Sequence, residues 1–352
     1  MQVPARGASF LISPARAECK LGYGADRGNE AGPPSGGRAG SFAIRARSRD
    51  HLRRRRRLRW ADIVLSSDRS FAARKRSPRG QSVGGSERTR SFPLRIVDLS
   101  APITPSAPDA PELMRTSITY YDHADGAREI ESMFGVPSRL LRDGEGWTRE
   151  QLTIGTHNST HIDAPYHYNS VVAGARAQTI DELPLEWFFG AGVVVDFRHK
   201  GDGDAVAVVE LEEALAASGH TLRERDIVLV RTGRDSFYGL TDYMFRGPGV
   251  TAEATHWLYD HGVRVMGIDA WGWDRPLNMQ AADALEHDAT GIFWAAHQAD
   301  LPYCQIERLY GLDALPPSGF RVACFPLRLT GASAAPARVV AILDEEPSGQ
   351  AS

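Results

Sequence analysis

The clearest pattern along the chain is a series of short apolar runs that are rich in β-branched side chains. Runs of this length and composition are typical of strands that are buried in a sheet. They occupy residues 94–99, 192–197, 226–231, 263–269, 321–329 and 338–343. We therefore predict a strand at each run, and two of these strands end near an acid, Asp196 or Asp269.

Two segments between the apolar runs have the spacing of amphipathic helices. Residues 208–218 place leucines four positions apart among acidic neighbours, and residues 251–261 begin with Thr251, a residue type favoured at helix N-termini. Residues 101–111 contain four prolines and are expected to form an extended loop. Because strands alternate with helices, we predict a single α/β domain over residues 92–346.

Residues 1–91 differ in composition from the rest of the chain. They are rich in Arg, Gly and Ser, and they include an unbroken arginine run at residues 53–57. Residues 1–95 carry 22 basic and seven acidic residues, whereas the remainder carries 19 basic and 37 acidic ones. Such a segment cannot bury enough apolar surface to offset its ordering entropy, so we expect a disordered basic extension. We also expect a disordered tail at residues 347–352.

Three explanations fit the basic extension. The arginine run, with Lys75 and Arg76 nearby, is compatible with a nucleic-acid or nuclear-targeting patch. The Arg- and Ser-rich, acid-poor composition is compatible with an organelle transit peptide. We favour a third explanation, a non-coding stretch joined to the domain by a mis-called start, because the composition changes abruptly near Pro93.

Several classes of protein are excluded by the sequence. No stretch approaches the roughly 18 consecutive apolar residues of a transmembrane helix, so we expect no membrane association. The three cysteines, Cys19, Cys304 and Cys324, form no CxxC pair and no disulfide framework, which favours a cytoplasmic location. Cys304 has no activating motif and is expected to be a buried thiol. The GxSxG and GxGxxG patterns are absent.

The densest chemical signal lies in residues 156–167. His157, His161, Asp163 and His167 bring imidazole and carboxylate groups together, which are ligands for zinc, manganese or iron. In a straight strand His157 and His161 would lie about 13 Å apart. In a turn they would be neighbours about 6 Å apart. We therefore predict a compact turn followed by Asp163, with no regular helix through Pro165 and with His167 at the rim as acid or base.

A second pair of candidate ligands, His297 and Glu307, occurs late in the chain. Neither residue would stand out alone. Together with the first cluster they supply the nitrogen and oxygen ligands that either a two-metal site or an outer shell around one metal requires.

The motif at residues 157–167 resembles that of the cyclase-like metal-dependent hydrolases, which include bacterial kynurenine formamidase and isatin hydrolase. The family motif is H-x-G-T-H-x-D-x-P-x-H, and this chain departs from it only at Ser159, where glycine is usual. The resemblance spans residues 96–343. It implies a cyclase-like domain with a mixed β-sheet and flanking helices, and it leaves the basic extension unexplained.

The resemblance also implies a metal site. His157, His161 and Asp163 would bind one ion, and Asp163, His297 and Glu307 would be available to a second. Zinc is the leading expectation and manganese the alternative. His167 would act as the proton shuttle. A homodimer is expected from the family.

The implied activity is metal-dependent hydrolysis of a small-molecule amide. N-formylkynurenine, cleaved to kynurenine and formate in tryptophan catabolism, is the leading substrate, and isatin or another lactam or lactone is the alternative. Tyr166, Trp271 and Trp273 are candidate pocket residues. A distant alternative is a non-catalytic metal-binding protein whose basic extension binds nucleic acid; we do not expect nucleic acid as a partner.

Overall fold

The computed structural model describes residues 94–344 except residues 108, 109 and 111. The predicted disordered segments at residues 1–91 and 347–352 lie outside the described residues. Within the described part of the chain, no helix has both the length and the apolar character needed to cross a membrane.

The described residues form fifteen strands and five α-helices, together with short 3₁₀ turns. The strands are β1 Leu94–Asp98, β2 Ser117–Tyr121, β3 Arg149–Thr153, β4 His161–Asp163, β5 Val171–Val172, β6 Ala175–Arg176, β7 Phe189–Asp196, β8 Ala205–Val206, β9 Ile227–Arg231, β10 Gly249–Val250, β11 Val265–Ile268, β12 Cys304–Glu307, β13 Phe320–Ala323, β14 Ala334–Pro336 and β15 Val340–Asp344. The helices are α1 His123–Phe134, α2 Pro165–Tyr168, α3 Val208–Ser218, α4 Ala252–Asp260 and α5 Leu277–His287.

Nine of these strands form one mixed sheet, in the order β1-β15-β13-β7-β9-β11-β12-β4-β14. The four central strands β7, β9, β11 and β12 run parallel to one another. Antiparallel strands extend the sheet on both sides, with β13, β15 and β1 on one and β4 and β14 on the other. The predicted α/β fold with a mixed sheet and flanking helices is confirmed.

Alternate residues of the central strands pack on opposite faces of the sheet. In β9, Ile227 and Leu229 join one apolar cluster, and Val228 and Val230 join the other. The second cluster also contains buried residues of helices α3 and α4. Because both faces are covered, the central strands are apolar throughout, as the sequence pattern predicts.

Most of the predicted elements are confirmed, and one needs correction. The predicted helices match α3 and α4, and the Thr251 hydroxyl accepts a hydrogen bond from the Ala254 amide as an N-cap. The strand predicted over residues 321–329 is too long, because β13 ends at Ala323. Proline cannot donate to a strand ladder, and Pro326 makes only an isolated bridge to Ala337.

Candidate metal centre

Strand β4 carries the centre of the site and lies between β12 and β14. Its middle residue, Ile162, pairs with Ile306, and both side chains are buried in the apolar core. Because side chains alternate along a strand, His161 and Asp163 point to the opposite face. His161 is the register partner of Glu307, so the pairing of β4 with β12 brings two distant parts of the chain together.

A compact turn over residues 156–160 returns His157 to this face, as predicted. His157 Nδ1 lies 2.8 Å from Asp163 Oδ1. The ring centroids of His157 and His161 are 5.3 Å apart. Helix α2 then begins at Pro165, a favourable first helical position, and places the His167 ring centroid 3.9 Å from that of His157. His167 is partly buried among these rings.

Hydrogen bonds to neighbouring segments hold the turn. Ser159 has a left-handed φ of 58°, and its hydroxyl donates to the Ala101 carbonyl at 3.0 Å. The Thr160 hydroxyl accepts from the Ala101 amide and donates to the Arg308 carbonyl. His161 Nδ1 lies 2.9 Å from the Ser159 carbonyl. Since a carbonyl can only accept, Nδ1 carries the proton and Nε2 is left with its lone pair facing the cluster.

Three buried atoms of the cluster have no hydrogen bond of suitable geometry among the described residues: His161 Nε2 and both Asp163 carboxylate oxygens, although His157 Nδ1 lies close to Asp163 Oδ1. His161 Nε2 lies 3.3 Å from Asp163 Oδ1 and 3.6 Å from Glu307 Oε2. Leaving such atoms unpaired in a fully buried place is costly. Nitrogen and carboxylate donors that converge in this way fit a divalent cation, which would satisfy all three atoms.

Two groups of potential ligands share Asp163. One consists of His157, Asp163 and His167, and the other of His161, Asp163 and Glu307; within each group the ligand atoms lie within 4.8 Å of one another. The structure thus brings together four of the five residues expected to bind metal, and it adds His167.

His297, the fifth expected ligand, lies outside both groups. Its Nε2 is 3.5 Å from Glu307 Oε1. Its Nδ1 makes a short contact with Asp274, whose carboxylate also accepts hydrogen bonds from the backbone amides of Ala296 and His297. The Trp294 ring stacks on the His297 ring, with centroids 4.6 Å apart. The His297 ring therefore lies between the carboxylates of Asp274 and Glu307. It helps to position Glu307 on the side away from His161.

Burial and charge shift the ionisation of these groups in different directions. Burial would raise the pKa of Asp163, but the neighbouring imidazoles of His161 and His157 hold that pKa well below its usual range. Burial lowers the pKa of His167 to about 4. Burial would also lower that of His297, but Asp274 and Glu307 raise the pKa to about 10. At neutral pH the site thus combines an ionised Asp163 with a neutral His167.

A cavity of about 310 Å³ is lined by sequence neighbours of the cluster residues, among them Asn158, Ser159 and Arg308, and also by Trp271. Asn158 and Ser159 belong to the turn between His157 and His161. Sequence reasoning missed Arg308, although a charged residue directly after the candidate ligand Glu307 is a usable signal.

Of the three predicted pocket residues, one lines the cavity, one is exposed on a helix and one is buried in the core. Trp271 lines the cavity. Tyr166 is exposed on α2 and is not among the described lining residues. The expectation for Trp273 is wrong, because its side chain is 0% exposed in the core and its ring nitrogen donates to Thr255 at 2.9 Å. Its backbone amide instead donates to Glu307 Oε1 at 3.0 Å.

The model of the Cyclase family matches residues 97–275. The family match covers His157, His161, Asp163 and His167 and ends before His297 and Glu307. The kynurenine formamidase of Maricaulis maris (strain MCS10) is 32% identical over 192 residues, which cover 54% of this chain and 78% of the relative. The kynurenine formamidase of Salinibacter ruber (strain DSM 13855 / M31) is 29% identical over 191 residues, with coverage of 54% and 77%.

Among solved structures, isatin hydrolase A from Labrenzia aggregata bound to benzyl benzoate has the same fold. Its TM-score is 0.55 at 24% identity, covering 72% of this chain and 94% of that one. The family match, the relatives and the shared fold agree with one another. This chain therefore belongs to the cyclase-like family of metal-dependent hydrolases.

Proposed function

We propose that this protein hydrolyses the C–N bond of an aryl formamide, with N-formylkynurenine as substrate and kynurenine and formate as products. The observation that carries the proposal is the buried group of His161, Asp163 and Glu307, with the partly buried His157 and His167 grouped around the same Asp163. The similarity to kynurenine formamidases, at 32% and 29% identity, supports the choice of substrate.

His157, His161, Asp163 and Glu307 would hold the divalent cation, with zinc proposed first and manganese second. When bound, such an ion polarises a carbonyl group and lowers the pKa of water towards about 7. The ionised Asp163 carboxylate would supply negative charge to the cation. The hydrogen bond from His161 to the Ser159 carbonyl keeps Nε2 directed at the cluster.

His167 is the proposed proton shuttle. Its ring lies beside His157 and within 5.8 Å, centroid to centroid, of His297. A neutral imidazole accepts a proton from the attacking water and returns it to the leaving nitrogen. In the balanced reaction, the water oxygen bonds to the formyl carbon, the C–N bond breaks, and the aryl nitrogen takes up the proton.

The test is hydrolysis of N-formylkynurenine and isatin by the full chain, after metal removal and after zinc or manganese is restored. We expect metal-dependent turnover of N-formylkynurenine. His167→Ala should lower kcat about 100-fold or more while bound metal is retained. His261→Ala is the matched control, because this exposed histidine ends helix α4 far along the chain from the cluster.

The other outcomes identify the alternatives. Turnover of isatin without turnover of N-formylkynurenine would assign a lactam substrate instead. If a fully metal-loaded protein hydrolyses neither compound, the proposal fails and a non-catalytic metal-binding role gains support. The homodimer and the cytoplasmic location stay predictions.

A further inference from the structure

The cavity that contains Asn158, Ser159 and Arg308 in its lining carries charge of one sign only among its described lining residues. Arg308 is its only charged lining residue among the described residues, and no acidic side chain lines it there. The other walls are largely apolar or aromatic, and they include Trp271, Tyr238 and Tyr243. Both tyrosine hydroxyls already donate to backbone carbonyls, those of Pro102 and Asp269, so the rings rather than the hydroxyls are available to a ligand.

Arg308 is nearly buried and has no carboxylate partner within the part of the chain that the structure describes. The residue is 7% exposed, and it makes no salt bridge with a described residue. Its guanidinium lies over the Trp271 ring at 4.6 Å, and Nε donates a long hydrogen bond to the Trp271 carbonyl at 3.3 Å. The terminal nitrogens have no hydrogen-bond partner among the described residues. A mostly buried guanidinium whose terminal nitrogens stay accessible is stabilised when an anion completes its hydrogen bonds.

Arg308 has a backbone conformation that residues other than glycine rarely adopt. Its φ is 58°, in the left-handed region that a residue with a Cβ adopts at a cost. The conformation is maintained by the Arg308 amide, which donates to the Ala270 carbonyl, and by the Arg308 carbonyl, which accepts from Thr160. The same strained residue directly follows Glu307, so the guanidinium and the proposed metal ligand start from adjacent backbone positions.

We propose that Arg308 binds a carboxylate on the substrate, away from the amide that is cleaved. An aromatic ring would pack against Trp271 and the tyrosine rings, while the carboxylate would accept paired hydrogen bonds from the guanidinium. The substrate class is thus an aryl amide that carries a separate acidic group. This inference rests on the proposed function and narrows its substrate: neutral lactams such as isatin offer Arg308 no such carboxylate before cleavage.

The test compares N-formylkynurenine with its methyl ester, which keeps the same scissile formamide and removes the negative charge. The full, metal-loaded chain is used, and kcat and KM are measured for both compounds. We expect the unmodified protein to prefer the acid by about 10- to 100-fold in kcat/KM, most of it in KM. Arg308→Met should bring this preference to within about threefold of unity, and Arg308→Lys should restore part of it.

Arg321→Met is the matched control. Arg321 is exposed on β13 and also faces an aromatic ring, that of Phe189, but it does not line the cavity. It should keep the full preference for the acid. Bound metal is measured in every variant, so that a lost preference is assigned to Arg308 only where the metal content is unchanged.

The outcomes separate the two proposals. If the unmodified protein cleaves acid and ester equally well, or if Arg308→Met keeps the preference, the role of Arg308 is overturned and the proposed hydrolysis stands. If neither compound is cleaved, the proposed function fails, and binding of benzoate and benzamide is compared by ligand-observed NMR. Selective binding of benzoate that is lost in Arg308→Met then supports the anion site, and its absence overturns it.

Discussion

Strands β9 and β4 lie in the same sheet, and apart from Arg231 at the end of β9 all their residues are buried, but their side chains meet different surroundings. In β9, Leu229 and Val230 point to opposite faces, and each meets apolar neighbours. In β4, Ile162 meets the apolar core, whereas His161 and Asp163 on the other face keep three polar atoms without a hydrogen bond of suitable geometry among the described residues. Burial alone accounts for β9. The polar face of β4 is completed by something other than the described protein groups, and a cation has the chemistry to do so.

Positive φ angles at non-glycine residues are more frequent around the cluster and His297 than around β9. Four non-glycine residues with positive φ lie within three positions of a cluster side chain: Ser159, Trp294, Asp300 and Arg308. By the same measure one such residue lies near β9, Arg225, two positions before Ile227. Strain of this kind persists only where the surrounding structure determines it, and it accumulates at functional sites. The free energy gained by packing the apolar core therefore offsets the cost of the positive φ angles near the cluster.

The strongest test of the difference between β4 and β9 is to remove the carboxylate of Asp163, which both ligand groups share. Asp163→Asn should lower kcat at least about 1,000-fold, because both ligand groups lose their common member. Amide hydrolysis and metal content per chain are the measurements. Asp196→Asn is the control, since that aspartate ends strand β7 of the same sheet but is exposed and paired with Arg198. Full activity in Asp163→Asn would show that the cluster is not the reaction centre.

The apolar strand should respond in stability rather than in chemistry. Leu229→Ala is expected to lower the free energy of unfolding by about 3 kcal/mol, because it opens a cavity in a tightly packed core. Turnover per folded molecule should stay within about twofold. Urea unfolding measures the first effect, and Leu285→Ala, at an 83% exposed site, is the control. A loss of metal in Leu229→Ala would mean that the two regions are not separable.

The difference between the apolar strand β9 and the polar face of β4 also explains which parts of the molecule could be predicted from sequence. Strand β9 was predictable because an apolar run buried on both faces is visible in the chain itself. Strand β4 was not predicted as a strand, since it has three residues and Ile162 is its only apolar one. The metal-binding motif was recognisable, but the pairing of His161 with Glu307 depends on long-range register. Trp273 was misplaced because a tryptophan beside a site and one in the core look alike in sequence.

Metal removal should change the free energy of unfolding in a way that depends on β4 and not on β9. A cation that binds only the folded protein adds about 2.7 kcal/mol to the free energy of unfolding at a concentration 100 times its Kd. We expect this gain when zinc is restored to the chelated protein, measured by urea unfolding. The gain should disappear in Asp163→Asn and persist in Leu229→Ala. Equal stabilisation of all three proteins would place the bound ion elsewhere in the chain.

The smallest expected effect lies in the turn that carries His157 and His161. Ser159 has a left-handed φ of 58°, and its hydroxyl donates to the Ala101 carbonyl. Ser159→Ala loses this hydrogen bond and keeps the strain, so we expect a loss of about 1 to 2 kcal/mol in the free energy of unfolding. Ser159→Gly loses the same hydrogen bond but relieves the strain, and the greater entropy of glycine in the unfolded chain offsets part of that relief. Glycine should therefore be more stable than alanine by about 0.5 to 1 kcal/mol, a difference measured by urea unfolding of both metal-free variants. If alanine is as stable as glycine or more so, the strain at Ser159 is no larger than the entropy cost of glycine, and the contrast between the two strands reduces to their side chains.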